Sequence, residues 1–239
     1  MSTKSLEKAS KPQLTGKEIL DKVLDKALYI MVTCLIIGVV IYNPRFVYMS
    51  SIINILTLSS SRLIMALGIA GCIILTGTDL SAGRILGLAA CISASLLQAP
   101  EYGAKMYQGL QWLPQDGEAA IWGPLLCTLL IVVAVTGAIG LFNGLMVAKF
   151  QLHPFIVTLG TKLIVYGMAL IYVTFGTNGG APIGGIDERY TQLVSGNLFG
   201  EWGTSIGLHI PMVILYAVIA AVIMWFVWNK TVFGKNMFA

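Results

Sequence analysis

Between Gly77 and Arg84 the chain reads Gly-Thr-Asp-Leu-Ser-Ala-Gly-Arg. The carboxylate of Asp79 can only accept hydrogen bonds when ionised, whereas the hydroxyls of Thr78 and Ser81 can donate and accept. With Gly77 and Gly83 loosening the backbone, these groups suit the holding and passing of a polar molecule. The setting sharpens that reading, because Leu63–Thr76 before the stretch and Ile85–Pro100 after it carry no charged residue. An ionisable group at membrane depth is costly unless paired, hydrated or placed at the interface. Glycine-rich backbone is tolerated there only where it lines a cavity or is buried in protein. Two readings follow: a short connection between helices at the membrane surface, or a broken-helix element lining a polar path, as found in transporters.

The elements that must position these residues are membrane helices. Of 239 residues, 56% are hydrophobic and 11% charged, against about 25% charged in soluble domains. The expected fold class is an all-α integral membrane bundle of about six transmembrane helices, each needing roughly 20 apolar residues. The net charge of +4 carries no implication for nucleic acid, because the excess sits at one end. There Lys4, Lys8, Lys11, Lys17, Lys22 and Lys26 alternate with Glu7, Glu18, Asp21 and Asp25. Residues 1–26 read as a basic cytoplasmic tail and 27–239 as the membrane domain. The tail is not a cleavable signal peptide, since its polar lead is long and no small-residue cleavage pattern follows.

Six spans are expected at Ala27–Tyr42, Arg62–Asp79, Ile85–Pro100, Ala119–Ala148, Phe155–Phe175 and Thr204–Trp228. Asn43-Pro44 stops the first, and Phe46–Ser61 is apolar enough to lie in the interface, with Ser50-Ser51 as a cap. Arg62 to Asp79 as one helix would place its two charges about 25 Å apart, so Gly77 is the expected break. Pro211 would kink the last span. Gly83 with Gly87, and Gly140 with Gly144, have the spacing of small-residue helix contacts. Asn143 lies beside the second pair, and Thr158 and Thr161 open the fifth span. Lys and Arg cluster on one side of this layout (the tail, Arg84, Lys149, Lys230, Lys235), which puts both termini in the cytoplasm.

Other chemistry is absent from the sequence. There is no phosphate-binding loop and no nucleophile elbow, so no enzyme activity and no cofactor are expected. His153 and His209 lack ligand neighbours at metal spacing. Cys34, Cys72, Cys91 and Cys127 lie inside apolar runs, without the pattern of a disulfide framework or metal site.

Three stretches resemble a known family: Thr76-Gly77-Thr78-Asp79-Leu80-Ser81-Ala82-Gly83, Gly140-Leu141-Phe142-Asn143-Gly144-Leu145, and Pro154-Phe155-Ile156-Val157-Thr158-Leu159-Gly160-Thr161. They look like signatures of the permease subunits of bacterial sugar ABC importers, the ribose, arabinose, xylose and galactose group. Asn229–Asn236 is similar to that family too, and Ala82 and Arg84 around Gly83 lean toward its galactose-type branch. The resemblance implies a pore of two permease copies in the inner membrane, an ATP-binding subunit inside and a periplasmic sugar-binding protein outside. It implies a path lined or gated by Gly77, Thr78, Asp79, Ser81, Gly83, Asn143, Thr158 and Thr161, with ATP used by the partner subunit. Asp79 could instead be structural, accepting backbone N–H groups where the third helix starts. Family members continue through a loop bearing a coupling helix and into further spans, while this chain stops at Phe238-Ala239. It is therefore expected to be the N-terminal part of a permease, with a transport-incompetent fragment as the alternative. An ion-coupled secondary transporter is disfavoured, because Asp79 is the lone acid near a span interior.

Overall fold

The structure, a computed structural model, describes residues 24, 26–109, 122–175, 179–200 and 209–238. The lysines from Lys4 to Lys22, Asp116, Trp112, Trp202 and the starts of the fourth and sixth expected spans lie outside these residues. Apart from two isolated bridges, the described residues form helices and connections only. Four helices are long and apolar enough to cross a membrane and two shorter ones are apolar, so the chain is an all-α integral membrane protein.

The chain divides between Ile52 and Ile53. The first unit holds α1 (Ala27–Tyr42), which ends where the Asn43 side chain accepts the Arg45 N–H and Pro44 opens a 3-10 turn over Pro44–Val47. The Ser51 hydroxyl donates to the Arg45 carbonyl and does not cap a helix as expected.

The helix α2 runs unbroken over Met49–Ile74. This corrects the expectation of an interfacial segment followed by a span opening at Arg62, because Arg62 lies near the middle of one helix. Nothing between Met49 and Ala66 can stop a helix: there is no Pro or Gly, and Thr57 and Ser60 return their hydroxyls to the carbonyls of Ile53 and Leu56. The stop comes at the expected break. Thr76 takes a left-handed conformation (φ 57°). Its N–H bonds the Ile73 carbonyl while that of Gly77 bonds the Cys72 carbonyl, the paired closure of a Schellman motif. A β-branched residue in that conformation is strained.

In the second unit α3 (Ala82–Leu96), α4 (Trp122–Phe150) and α5 (Pro154–Thr174) pack together. Leu88, Ile92 and Val165 are buried at the centre, with Val132, Val135 and Ile139 of α4 against them. Lipid is as apolar as these side chains, so close packing and interhelical hydrogen bonds hold such a bundle. One such bond joins Ser95 of α3 to Tyr172 of α5 at 2.6 Å. Ser81 shares a level with Thr161, and Ser95 shares one with Tyr172, so α3 and α5 run parallel. At 15 residues, α3 spans about 22 Å and is too short to cross a ~30 Å core.

Beyond the far end of α3 a cap is built from residues 97–106 and 184–195. The amide of Gln98, buried, donates to the Gly184 carbonyl and accepts the Met106 N–H, both at 2.8 Å. Asp187 starts α6 (Glu188–Ser195), and Tyr102 lies flat over Gly185. The last span, α7 (Met212–Lys230), begins after Pro211, which stands in extended backbone as the cap. Pro211 therefore starts this helix and does not kink it, as its missing N–H and fixed φ favour. The short helix α8 (Val232–Phe238) folds back so tightly that a Cβ on Gly234 would lie 2.1 Å from the Trp228 carbonyl oxygen.

A Cβ added at Gly83, Gly87, Gly140 or Gly144 meets nothing within 4 Å among the described residues, so each pair forms a smooth stretch of helix surface there.

Candidate functional site

The break lies against the ends of α4 and α5 that meet at their connecting turn. Asn143 lies seven residues before the end of α4 (143 to 150), and Thr161 seven after the start of α5 (154 to 161). Both are thus about 10 Å from the turn joining these helices. Ser81 stands level with Asn143 and Thr161, whereas Thr78 bonds Thr158 near the start of α5 and Gly77 lies beside Pro154, so the segment climbs from the turn toward the middle of the bundle.

A chain of polar groups ties the break to both neighbouring helices. One carboxylate oxygen of Asp79, Oδ1, accepts the Ser81 N–H at 2.8 Å and the Ser81 hydroxyl at 2.6 Å. The Asn143 amide donates to Ser81 Oγ at 3.1 Å and accepts the Thr161 hydroxyl at 2.6 Å. Ser81 is wholly enclosed, and Asn143 and Thr161 are buried. Lower down, Thr158 donates to the carbonyls of Thr78 (3.1 Å) and Pro154 (2.9 Å). Every bond in this set satisfies a group that lipid would leave unpaired, which is why the segment can lie at depth.

Beside this chain is a cavity of about 330 Å³ lined by Cys72, Leu75, Gly77, Thr78, Asp79, Gly140, Asn143, Gly144, Val147, Pro154 and Thr158. The volume falls within the ~300–1,000 Å³ usual for small-ligand sites. Gly77 fits closely at its wall: a Cβ there would sit 3.3 Å from the Cys72 carbonyl oxygen, a tight contact, and 3.8 Å from Pro154, an ordinary one. Asp79 Oδ2 makes no hydrogen bond among the described residues, and no Lys, Arg or His lines the cavity. The cavity wall therefore carries an unfilled acceptor with formal charge. Arg84, five residues on, is turned elsewhere, its guanidinium 4.3 Å from the ring centroid of Tyr166 near the middle of α5.

Of the residues singled out from sequence, Gly77, Thr78, Asp79, Asn143 and Thr158 line one cavity, with Ser81 and Thr161 bonded behind it. Gly83 lies outside it, exposed on α3. Cys72, Leu75, Val147 and Pro154 are lining residues that sequence reasoning did not assign to a site. Cys72 sits one turn before the break and Pro154 at the start of α5, so position relative to the helix ends was the available signal. Tyr166 was missed as the partner of Arg84, because no spacing rule connects residues on separate helices. Among the described residues no cluster of His, Cys, Asp and Glu could hold a metal ion.

Residues 51–239 match the family described as branched-chain amino acid transport system / permease component. The chain is 38% identical over 226 residues to the galactose/methyl galactoside import permease protein MglC of Escherichia coli (strain K12), covering 95% of this chain and 62% of that protein. It is 40% identical over 219 residues to MglC of Haemophilus influenzae (strain ATCC 51907 / DSM 11121 / KW20 / Rd), covering 92% of this chain and 60% of that one. The ribose import permease protein RbsC of the same organism is 26% identical over 216 residues, or 90% of this chain and 57% of RbsC. This chain thus spans about 60% of the length of the galactose-type relatives it matches. No solved structure gives a significant match. The family match covers most of the chain, which therefore belongs to the permease-component family of these transport systems.

Proposed function

We propose that the chain is the membrane-spanning permease part of a binding-protein-dependent importer that passes galactose, methyl galactoside or a related monosaccharide into the cytoplasm. The observation that carries the reading is the unfilled Asp79 oxygen in a cavity at the break. A neutral sugar presents hydroxyl donors on every side. One of them satisfies Asp79 Oδ2, while the Thr78 hydroxyl and the spare N–H of Asn143 meet its oxygens. Affinity at this site need not be high, because in this scheme a periplasmic sugar-binding protein delivers the sugar and an ATP-binding subunit drives the cycle. Two permease copies form the pore in the inner membrane, with both termini of each in the cytoplasm and ATP bound by the partner subunit alone. The cavity would face the two sides in turn, with the bonded chain from Asp79 to Thr161 keeping the break fixed to α4 and α5 as it does so.

The test is uptake of labelled galactose or methyl galactoside in cells that supply the ATP-binding and sugar-binding partners but lack their own permease. Asp79→Asn keeps the acceptor for the Ser81 N–H and removes the charge. It should leave membrane levels unchanged and lower uptake by about tenfold, the equivalent of one charge-assisted hydrogen bond of ~1.4 kcal/mol. Unchanged uptake would refute a role for this carboxylate in the path.

A further inference from the structure

We propose that the cavity at the break sorts sugars by charge, admitting neutral and cationic ones and turning away anionic ones such as uronic acids. The inference rests on the reading of this cavity as a sugar site and adds to it the class of sugar accepted. The lining contains one formally charged side chain, Asp79, with its Oδ2 unfilled, and no basic residue. The basic side chain nearest in sequence, Arg84, is held against Tyr166, and its guanidinium makes no hydrogen bond among the described residues. It is not among the residues that line the cavity.

The remaining polar groups around the cavity do not change its sign. Asn143 has its carbonyl oxygen occupied by Thr161 and one amide hydrogen by Ser81, leaving one N–H. Thr158 spends its hydroxyl on backbone carbonyls. The rest is apolar or glycine: Leu75, Val147, Pro154, Gly77, Gly140 and Gly144. A carboxylate entering such a space meets a like charge at close range. An ammonium group meets the opposite charge and an empty acceptor. Selection by a repulsive element of this kind is independent of how well the hydroxyls fit.

Cys72 lines the same cavity and is exposed, which gives a direct readout. The full chain, with Cys34, Cys91 and Cys127 replaced by Ala, is placed in lipid nanodiscs. The rate at which neutral N-ethylmaleimide alkylates Cys72 is then followed against galactose, galactosamine and galacturonate at neutral pH. The expected half-protecting concentration for galacturonate is at least about tenfold above that for galactose, with galactosamine at or below galactose. Asp79→Asn should bring all three within about threefold of one another. Galacturonate protecting the unaltered site as well as galactose does would overturn the proposal, without needing the variant to fold. So would an Asp79→Asn protein that keeps the original ranking. Protection by none of the three sugars would remove the sugar-site reading and the proposal together, an outcome distinct from equal protection by all.

Discussion

Asp79 and Asp187 make the same local turn and come to different ends. Each carboxylate accepts the backbone N–H two residues on, Ser81 for one at 2.8 Å and Arg189 for the other at 2.9 Å. Around Asp187 the structure closes: Oδ1 also takes Arg189 Nε at 3.0 Å, and Oδ2 takes Nη2 at 2.7 Å. The guanidinium holds the Asp187 carboxyl below the usual carboxylate range. At Asp79 the arginine that could do the same lies on a tyrosine ring, and one oxygen is left facing a cavity. The turn chemistry is a property of the residue type. What distinguishes a structural carboxylate from a candidate site is whether its second oxygen has a partner.

The largest expected effect comes from forcing the closed region apart. Gly185 has φ +69°, and a Cβ there would lie 2.3 Å from the Tyr102 ring. Gly185→Ala should therefore cost about 3 kcal/mol or more, from left-handed strain and overpacking together. It should show as a cap that loses protection in hydrogen exchange; unaltered protection would mean that the cap is looser than its packing indicates. In the half-open region, Asn143→Ala leaves Ser81 and Thr161 facing each other across an empty volume. A loss of about 2 kcal/mol is expected from two unmet buried partners, read as a lower unfolding temperature in detergent. A change near zero would show that the break is held by its own backbone closure.

The smallest effect separates the two carboxylates by pH. Because the folded-state pKa of Asp187 is lowered, its contribution is complete above the ordinary value of 3.8 and fades as pH falls through the lower, folded-state value. Asp187→Asn should flatten that acid-side decline of the cap by about 1 kcal/mol or less, Arg189 being partly exposed. A decline equally steep in the variant would assign it to other groups.

How much of this was legible in the sequence depends on which force decides each feature. The spans and the break at Gly77 followed from hydropathy and from the cost of a carboxylate at depth. At Arg62 a charge suggests the membrane edge and hence a helix start, but the backbone has no reason to stop there, and hydrogen bonding wins over electrostatics. A hydropathy run cannot see that Pro211 is better placed before a helix than within one. The pairing of Ser81 with Asn143, 62 residues apart, and of Asn143 with Thr161 across a helix turn is tertiary, so sequence offered the residue types without the partners. The glycine pairs show the converse: their spacing suits a helix contact, but what covers a surface is not encoded in the helix that bears it.

The stop at Thr76 and the restart at Ala82 have an electrical consequence. The end of α2 is the negative pole of one helix and the start of α3 the positive pole of the next, so partial charges of both signs fall within one short stretch. A molecule lodged there meets both poles at once. A hydroxyl, which gives with its hydrogen and receives with its oxygen, is at home between them.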